Sequence, residues 1–223
     1  MQNFITIAVD GAAASGKTST SLLIANRYNF LLVSTGTHYR AFALKLKQAS
    51  VSSGDTGGIG NFLRSVVLGT EVDGNVSGIT IGGEDFAGED LRTREINEAV
   101  AQYSAVDSIR KSLFVYQRSQ IEVAREHGFG GVIMEGRDIT SVVLPDADLK
   151  FFLEASAGER SLRRKNDRES DFIGKRDKID GGRIVCGADV FRINTGTNGL
   201  NAVAAIISEK IDKILRKENS FRL

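Results

Sequence analysis

The 223-residue chain has one cysteine, Cys186, and no large excess of charge of either sign. A single cysteine cannot form an internal disulfide, and no Cys/His spacing resembles a zinc site, which fits a reducing cytosol. Lys and Arg together number 29 against 28 Asp and Glu, so no broad basic field points to nucleic acid or to an acidic membrane surface. Any recognition of anions must therefore be local.

Long hydrophobic runs and targeting signals are also lacking. No stretch approaches the roughly 20 apolar residues that a membrane span requires, and the first residues lack the basic region and the apolar core of a signal peptide. We therefore expect a cytoplasmic protein that binds neither a membrane nor a nucleic acid. The length predicts one domain with room for insertions.

Short apolar runs alternate with helical patterns along the chain. The apolar runs predict core strands at residues 4–9, 30–33, 130–136, 149–153 and 190–193. Amphipathic spacing predicts helices at residues 19–28, 34–47, 89–105, 106–127 and 201–217. This βαβ order is typical of an α/β protein with a mostly parallel sheet.

Two segments interrupt this order. Residues 50–60 are rich in Gly and Ser, which predicts a mobile loop. Residues 70–88 contain short β runs split by Asp-Gly and Gly-Gly, a pattern typical of antiparallel hairpins. We interpret them as an inserted subdomain.

The strongest chemical signal is the stretch "GAAASGKT" at residues 11–18, which matches G-x-x-x-x-G-K-[ST] between a predicted strand and a predicted helix. Small residues let successive backbone N–H groups wrap a phosphate, and the helix end adds partial positive charge. The motif predicts that Lys17 bridges the β- and γ-phosphates of a nucleoside triphosphate and that the Thr18 hydroxyl binds Mg²⁺. An ordinary glycine-rich turn with a surface lysine is the alternative. The predicted ATP-binding loop comprises Gly11, Ala12, Ala13, Ala14, Ser15, Gly16, Lys17, Thr18 and Ser19.

Five further motifs are "STGTHYRAFAL", "GEDFAGEDLRT", "SIRKSLFVYQR", "GVIMEGRDITSVVLPDADLKFFLEASAGERSLRR" and "KRDKIDGGR". Together they resemble the cytidylate kinase family, within the nucleoside monophosphate kinases. The resemblance runs through nearly the whole chain and implies a three-layer P-loop fold. It implies a five-stranded parallel sheet flanked by helices, with a small antiparallel β insertion and a short lid. The single domain 1–223 would comprise a core at 1–35, 128–164 and 184–223, an acceptor-binding insertion at 36–127 and a lid at 165–183.

The resemblance also implies roles for single residues. Residues implied to bind the acceptor are Thr35, Gly36, Arg40, Arg110, Arg137, Asp138, Arg176, Asp180 and Arg183. Among them, Arg40 would hold the acceptor phosphate, Asp138 would accept from the cytosine amino group, and Asp180 would engage the sugar hydroxyls. Residues implied to contact ATP from the lid side are Arg160 and Arg164. The implied catalytic residues are Lys17, Arg137 and Arg176.

Other positions have weaker assignments. Glu135 keeps a carboxylate near the expected Mg²⁺ waters, and Ser34 stands where the family often has aspartate. A serine of the family that reads the cytosine amino group aligns with Ala101, and Ser104 is a candidate replacement. His38 and His127 have no partner at metal or triad spacing, so we expect structural or surface roles.

The implied reaction transfers the γ-phosphate of ATP to CMP, and to dCMP, with ATP as donor and Mg²⁺ as cofactor in pyrimidine nucleotide metabolism. The resemblance implies a monomer. Two alternatives stay open at this point: another P-loop small-molecule kinase, or a nucleotide-binding regulator with weak catalysis.

Overall fold

The computed structural model describes residues 4–86, 91–165 and 187–220. The described strands are β1 (Ile5–Gly11), β2 (Phe30–Ser34), β3 (Leu68–Asp73), β4 (Val76–Ile81), β5 (Glu84–Asp85), β6 (Gly131–Gly136), β7 (Leu149–Glu154) and β8 (Phe191–Asn194). The described helices are α1 (Lys17–Tyr28), α2 (Thr35–Gln48), α3 (Thr56–Ser65), α4 (Arg94–Tyr103), α5 (Asp107–Glu126), α6 (Ala157–Lys165) and α7 (Leu200–Ser220), with a π-helical turn at Ile139–Val143. None of these described helices is long and apolar enough to span a bilayer.

The five strands predicted from apolar runs are parallel to one another, in the order β2-β6-β1-β7-β8. β4 is a sixth parallel strand, beside β2. β1 lies at the centre, where Ile7 pairs with Ile133 on one side and with Leu149 on the other. β6 is buried along its whole length, as expected for a parallel strand covered on both faces. The predicted parallel sheet is confirmed, and the carboxyl ends of its strands meet at one edge.

Helices pack on both faces of this sheet. On one face, Ile24 of α1 and Ile207 of α7 share a hydrophobic cluster with Phe151 of β7. On the other, Ala124 of α5 lies in a cluster with Met134 of β6. All of these side chains are fully buried, and burying a side chain such as Phe151 stabilises the fold by roughly 1.5–3 kcal/mol. The three layers expected from the sequence are present.

The predicted antiparallel strands are also present, but they continue the central sheet. β3 pairs antiparallel with β4 along its whole length, and β5 pairs with the end of β4. β4 also runs parallel beside β2, where Leu32 pairs with Val76 and Val33 pairs with Ser77. The carbonyl of Asn75 accepts from the Leu32 amide at 2.7 Å and fixes this junction. The described strands therefore form one eight-stranded sheet.

Part of the segment predicted to be a mobile loop is helical. α3 begins at Thr56, so the loop prediction for residues 50–60 is wrong from that residue onward. Asp55 caps the helix, since its Oδ1 accepts from the Gly58 amide at 2.8 Å, and Ile59 is buried in the core of the insertion. Glycine lowers helix stability by roughly 1 kcal/mol per residue. The cap and the packing offset that effect.

α4 begins later than the apolar pattern predicts. The prediction starts at residue 89, whereas the helix starts at Arg94, and residues 87–90 lie outside the described part of the chain. Thr93 sets the start, because its hydroxyl accepts from the Ile96 amide at 3.2 Å. Threonine at this position satisfies an amide that has no partner inside the helix.

Helices and strands of the predicted insertion share one hydrophobic cluster. Phe42 of α2, Ile79 of β4, Ile96 of α4 and Leu113 of α5 belong to one hydrophobic cluster. This cluster fixes α2 and α5 against each other. Both helices begin near the carboxyl edge of the sheet.

The first turn of α2 buries a histidine. His38 is fully buried, and neither ring nitrogen has a hydrogen-bond partner among the described residues. Its ring packs edge-on against Tyr116, with 5.1 Å between centroids. Burial lowers the pKa of His38 from 6.5 to about 3, because the imidazolium would lose its hydration without gaining a partner. His38 therefore packs as a neutral side chain.

This environment predicts acid-sensitive stability. Below pH 6.5 the unfolded chain binds a proton at His38, and the folded chain does not until about pH 3, so the free energy of unfolding falls as the pH drops through this window. The slope is about 1.4 kcal/mol per pH unit. His38→Met removes the titrating group and fills the space. Between pH 6.5 and 4.5 we therefore expect the free energy of unfolding, measured with denaturant, to decline less steeply in this variant than in the wild type.

His127→Gln is the matched control, because His127 is exposed at the end of α5. It should leave the wild-type decline intact. A decline of equal slope in His38→Met and in the wild type would show that His38 is not its source.

Candidate active site

The predicted phosphate loop lies between β1 and α1, at the carboxyl end of the central strand. A Cβ at Gly11 would stand 2.4 Å from the carbonyl oxygen of Leu153, so only glycine fits beside β7. Gly16 has a φ of 88° at the entry into α1, a conformation that other residues rarely adopt. Ala14 also has a positive φ, of 59°. These bends give the loop the concave course that can turn amides toward an anion.

Lys17 is the first residue of α1, and its ammonium contacts the loop. The Nζ atom donates to the carbonyls of Gly11 and Ala12, both at 2.8 Å. A cation at a helix N-terminus is unfavourable by about 0.3–1 kcal/mol, because that end already carries partial positive charge. The two carbonyls offset part of this repulsion. Although the chain has almost no net charge, Lys17 and the start of α1 concentrate positive charge at the loop, as an anion site requires.

Two hydroxyls and a carboxylate converge next to the loop. Thr18 Oγ1 and Ser34 Oγ both donate to Glu135 Oε1, at 3.0 and 2.5 Å. Glu135 is buried, and it meets the hydroxyls because the ends of β2 and β6 are neighbours in the sheet. Oxygen atoms of carboxylates and hydroxyls are the ligands that Mg²⁺ prefers. The three side chains therefore fit a magnesium site, and Ser34 joins the two that the sequence predicts.

Side chains from α6 hold the outer side of the loop. Arg160 Nη1 donates to the Ala13 carbonyl at 3.4 Å, and Arg163 Nη1 donates to the Ala14 carbonyl at 3.2 Å. Thr195 lies beside them, and its hydroxyl donates to the Ser15 carbonyl at 2.9 Å. Arg160 is thus at the loop, as predicted. Its contact in this structure is with the backbone.

An ion pair joins two of the residues predicted to bind the acceptor. Arg110 of α5 pairs through Nη2 with Asp138 Oδ2, and Asp138 is buried. Burial alone would lower the pKa of Arg110, but the neighbouring Tyr39 and Asp138 outweigh it and raise that pKa. Arg110 Nη1 also approaches the Ser104 carbonyl at 3.5 Å, so Ser104 lies beside the pair. The structure thus brings together a guanidinium and a carboxylate that lie 28 residues apart in the sequence.

Arg137 contacts the phosphate loop. Its Nη1 donates to the Gly11 carbonyl at 3.0 Å. Thr35, at the start of α2, donates through its hydroxyl to the Glu135 carbonyl at 3.0 Å. Gly136 leaves room for this contact, since a Cβ there would stand 2.4 Å from Thr35 Oγ1. The ends of β1, β2 and β6 are therefore tied together by side chains.

Arg40 and Gly36 lie one turn apart on the same face of α2. A Cβ at position 36 would stand 3.1 Å from Arg40 Nη1, so the guanidinium folds back toward the N-terminus of the helix. The hydroxyls of Ser34 and Thr35 are at that same end. The predicted acceptor-phosphate residues are therefore grouped.

Of the other predicted residues, one is exposed and the rest lie outside the described part of the structure. Ser19 is exposed on α1. Arg164 belongs to α6, but its side chain lies outside the described part of the structure. Arg176, Asp180 and Arg183 also lie outside the described residues, with the predicted lid from residue 166 onward.

Sequence reasoning missed three residues at this site. Asp10, directly before the loop, accepts hydrogen bonds at 2.8 Å from the amides of Ile139 and Thr140. Arg163 and Thr195 bind loop carbonyls, as described above. The signal for Asp10 was available, because a carboxylate inside an apolar strand must find donors. Arg163 follows Arg160 at i,i+3, a spacing that places both on one helix face.

Comparison with known proteins places this arrangement in a family. The family model described as cytidylate kinase matches residues 7–213. A crystal structure of TT1252 from Thermus thermophilus aligns with a TM-score of 0.53 at 13% identity, covering 94% of this chain and 98% of that one. At that identity the likeness concerns the fold alone.

Curated relatives are closer in sequence. A cytidylate kinase of Pelotomaculum thermopropionicum is 34% identical over 228 residues, covering 95% of this chain and 97% of the relative. A cytidylate kinase of Streptococcus agalactiae serotype III is 34% identical over 234 residues, covering 97% of this chain and 100% of the relative. With the family model matching most of its length, the chain belongs to the cytidylate kinase family.

Proposed function

We propose that this chain transfers the γ-phosphoryl group of ATP to CMP, and also to dCMP, giving ADP and CDP or dCDP. The observation that carries the proposal is the position of Arg137. Its guanidinium contacts Gly11 of the phosphate loop, and its neighbour Asp138 pairs with Arg110 on the acceptor side. An anion site and a polar base-reading pair thus adjoin each other. Phosphoryl transfer needs this closeness, because it depends on positioning and on charge stabilisation.

The donor half consists of the phosphate loop, Lys17 and the Thr18–Glu135 cluster. The loop amides and the Lys17 ammonium bind the ATP phosphates, with phosphate oxygens replacing the Gly11 and Ala12 carbonyls as partners of Nζ. Thr18 and Glu135 would hold Mg²⁺, with Glu135 acting through water. When bound, Mg²⁺ supplies positive charge to the β- and γ-phosphates.

The acceptor half recognises the base through hydrogen-bonding groups complementary to those of cytosine. Cytosine presents an amino donor beside ring acceptors, and Asp138 and Arg110 offer an acceptor beside donors. Uracil presents a carbonyl where cytosine has the amino group, so the Asp138 carboxylate would repel it. This complementarity supports CMP over UMP. Thr35, Gly36 and Arg40 bind the phosphate end of the acceptor.

The chemical step needs no general base. A CMP phosphate oxygen, largely ionised at neutral pH, attacks the γ-phosphorus in line, and the bond from that phosphorus to the bridging oxygen of ADP breaks. Negative charge moves from the attacking oxygen toward ADP. Lys17 and Arg137 stabilise that charge from the loop side and from the acceptor side.

The remaining assignments rest on the resemblance of motifs. Arg160 and Arg164 serve the ATP side, Arg176 assists transfer, and Asp180 and Arg183 contact the acceptor. The core comprises 1–35, 128–164 and 184–223, the insertion 36–127 and the lid 165–183. Closing of the lid over both substrates excludes water, which is a competing acceptor.

An acceptor panel tests the proposal directly. ADP formation from ATP and Mg²⁺ is measured with CMP, dCMP, UMP, AMP and shikimate, and we expect CMP and dCMP to exceed the others in kcat/KM by about tenfold or more. Preference for AMP or shikimate would point to another P-loop kinase. Nucleotide binding without turnover of any acceptor would point to a regulator.

Lys17→Ala tests the donor half. Removing the ammonium should lower kcat with CMP by about 10²- to 10³-fold, because a charge-stabilising donor at the reacting phosphate is lost. Lys111→Ala, on the exposed side of α5, is the control. A loss of less than threefold in Lys17→Ala would contradict the role given to the loop.

Asp138→Asn tests the reading of the base. An amide can donate to the uracil carbonyl, so we expect kcat/KM to fall for CMP and to rise for UMP, narrowing the selectivity by about tenfold or more. Asp146→Asn is the matched control, because Asp146 forms an exposed ion pair with Arg118 of the same helix α5. Unchanged selectivity in Asp138→Asn would assign base recognition to other residues.

A further inference from the structure

Asp10 is a buried carboxylate that the proposed chemistry does not use. It is 1% exposed near the end of β1. Its Oδ1 accepts from the Ile139 amide at 2.8 Å, and its Oδ2 accepts from the Thr140 amide at 2.8 Å and from the Thr140 hydroxyl at 2.6 Å. Burial raises the pKa of Asp10, and the hydrogen bonds from Thr140 and Ile139 counteract that rise. A group so costly to bury needs a reason at this position.

The segment that Asp10 holds carries two of the proposed site residues. Asp10 pairs with Gly136 in the sheet, and beyond Gly136 the chain passes through Arg137 and Asp138 into the π-helical turn at Ile139–Val143. The first amides of a helical turn have no carbonyl partner within it. Asp10 accepts from two of them and thereby fixes where the turn begins.

A second contact joins the same two segments. Arg137 donates to the carbonyl of Gly11, the residue after Asp10. Asp10 and Gly11, two adjacent residues of β1, therefore accept four hydrogen bonds from residues 137–140. Three of them end on the Asp10 carboxylate.

We infer that Asp10 is a positioning residue, whose carboxylate fixes Arg137 and Asp138 relative to the phosphate loop. The inference rests on the proposed function, which gives those two residues their roles toward the acceptor. A carboxylate suits the position because it accepts on both oxygens and donates nothing. An asparagine would turn its NH₂ group toward a backbone or hydroxyl donor, and residues 137–140 would shift.

Steady-state kinetics of Asp10→Asn and Thr140→Val test the inference. Thr140→Val removes only the hydroxyl bond, and Thr140→Ser keeps it and is the matched control. We expect Asp10→Asn to raise KM for CMP and to lower kcat/KM for CMP by about tenfold or more, because small displacements at a reacting centre are costly. KM for ATP should change by less than about twofold, since the loop backbone keeps its other contacts. Thr140→Val should show the same split more weakly, and Thr140→Ser should behave as wild type.

Amide hydrogen exchange in the protein without nucleotides gives a second reading that does not depend on turnover. At least one of the Ile139 and Thr140 amides, followed by NMR, should exchange about tenfold faster in Asp10→Asn, because the NH₂ group of asparagine cannot accept its hydrogen bond. If Asp10→Asn folds poorly, the kinetics of Thr140→Val still test the inference, because this variant keeps the hydrogen bonds of both amides to Asp10.

The outcomes separate the inference from the function on which it rests. Wild-type protein that does not phosphorylate CMP overturns the proposed function and, with it, the kinetic role of Asp10. If the wild type turns over normally, two results for Asp10→Asn overturn the inference alone. One is an equal loss of kcat/KM for CMP and for ATP. The other is a lower melting temperature with an unchanged KM for CMP. Unchanged exchange at Ile139 and Thr140 in Asp10→Asn also overturns it.

Discussion

Repulsion between positive charges is the constraint on which the site depends. Lys17 starts α1, where the helix itself is partly positive, and Arg137, Arg160 and Arg163 approach the same loop. In the described structure these cations contact carbonyls of residues 11–14, so the backbone supplies the negative ends of the contacts. Phosphate groups carry full charges and bind such cations more strongly than carbonyl dipoles do. The fold thus holds together charges whose best partner is a polyphosphate.

The parallel sheet determines which side chains can meet. β1, β2 and β6 are neighbours, and their carboxyl ends bring the phosphate loop, the start of α2 and residues 137–138 to one edge. Ligand sites of open α/β sheets lie at this edge for the same reason. The core of the insertion then fixes α5 so that Arg110 reaches Asp138. The groups proposed to bind the donor and the acceptor are therefore adjacent as a consequence of strand order.

The sequence predicted the parallel strands and the phosphate loop, because each follows from a local pattern or a continuous motif. Most of the other grouped site residues were implied by the family resemblance. It did not predict α3, where Asp55 and the burial of Ile59 outweigh a glycine-rich composition. It also did not predict the pairing of β4 with β2, since register between distant strands leaves no local pattern. Asp10 and Thr195 were missed for a related reason: their partners are brought near only by the folded chain.

The junction of β4 with β2 also determines which strand edge the chain exposes to other molecules. β2 is an apolar strand with buried Leu31, Leu32 and Val33, and an open edge of this kind can template aggregation between copies. The inserted hairpin covers part of that edge and moves the border of the sheet to β3, where Glu71 and Asp73 are exposed. Like charges on a strand border discourage edge-to-edge association. The hairpin therefore gives this side of the sheet a charged border at β3 in place of the apolar edge of β2.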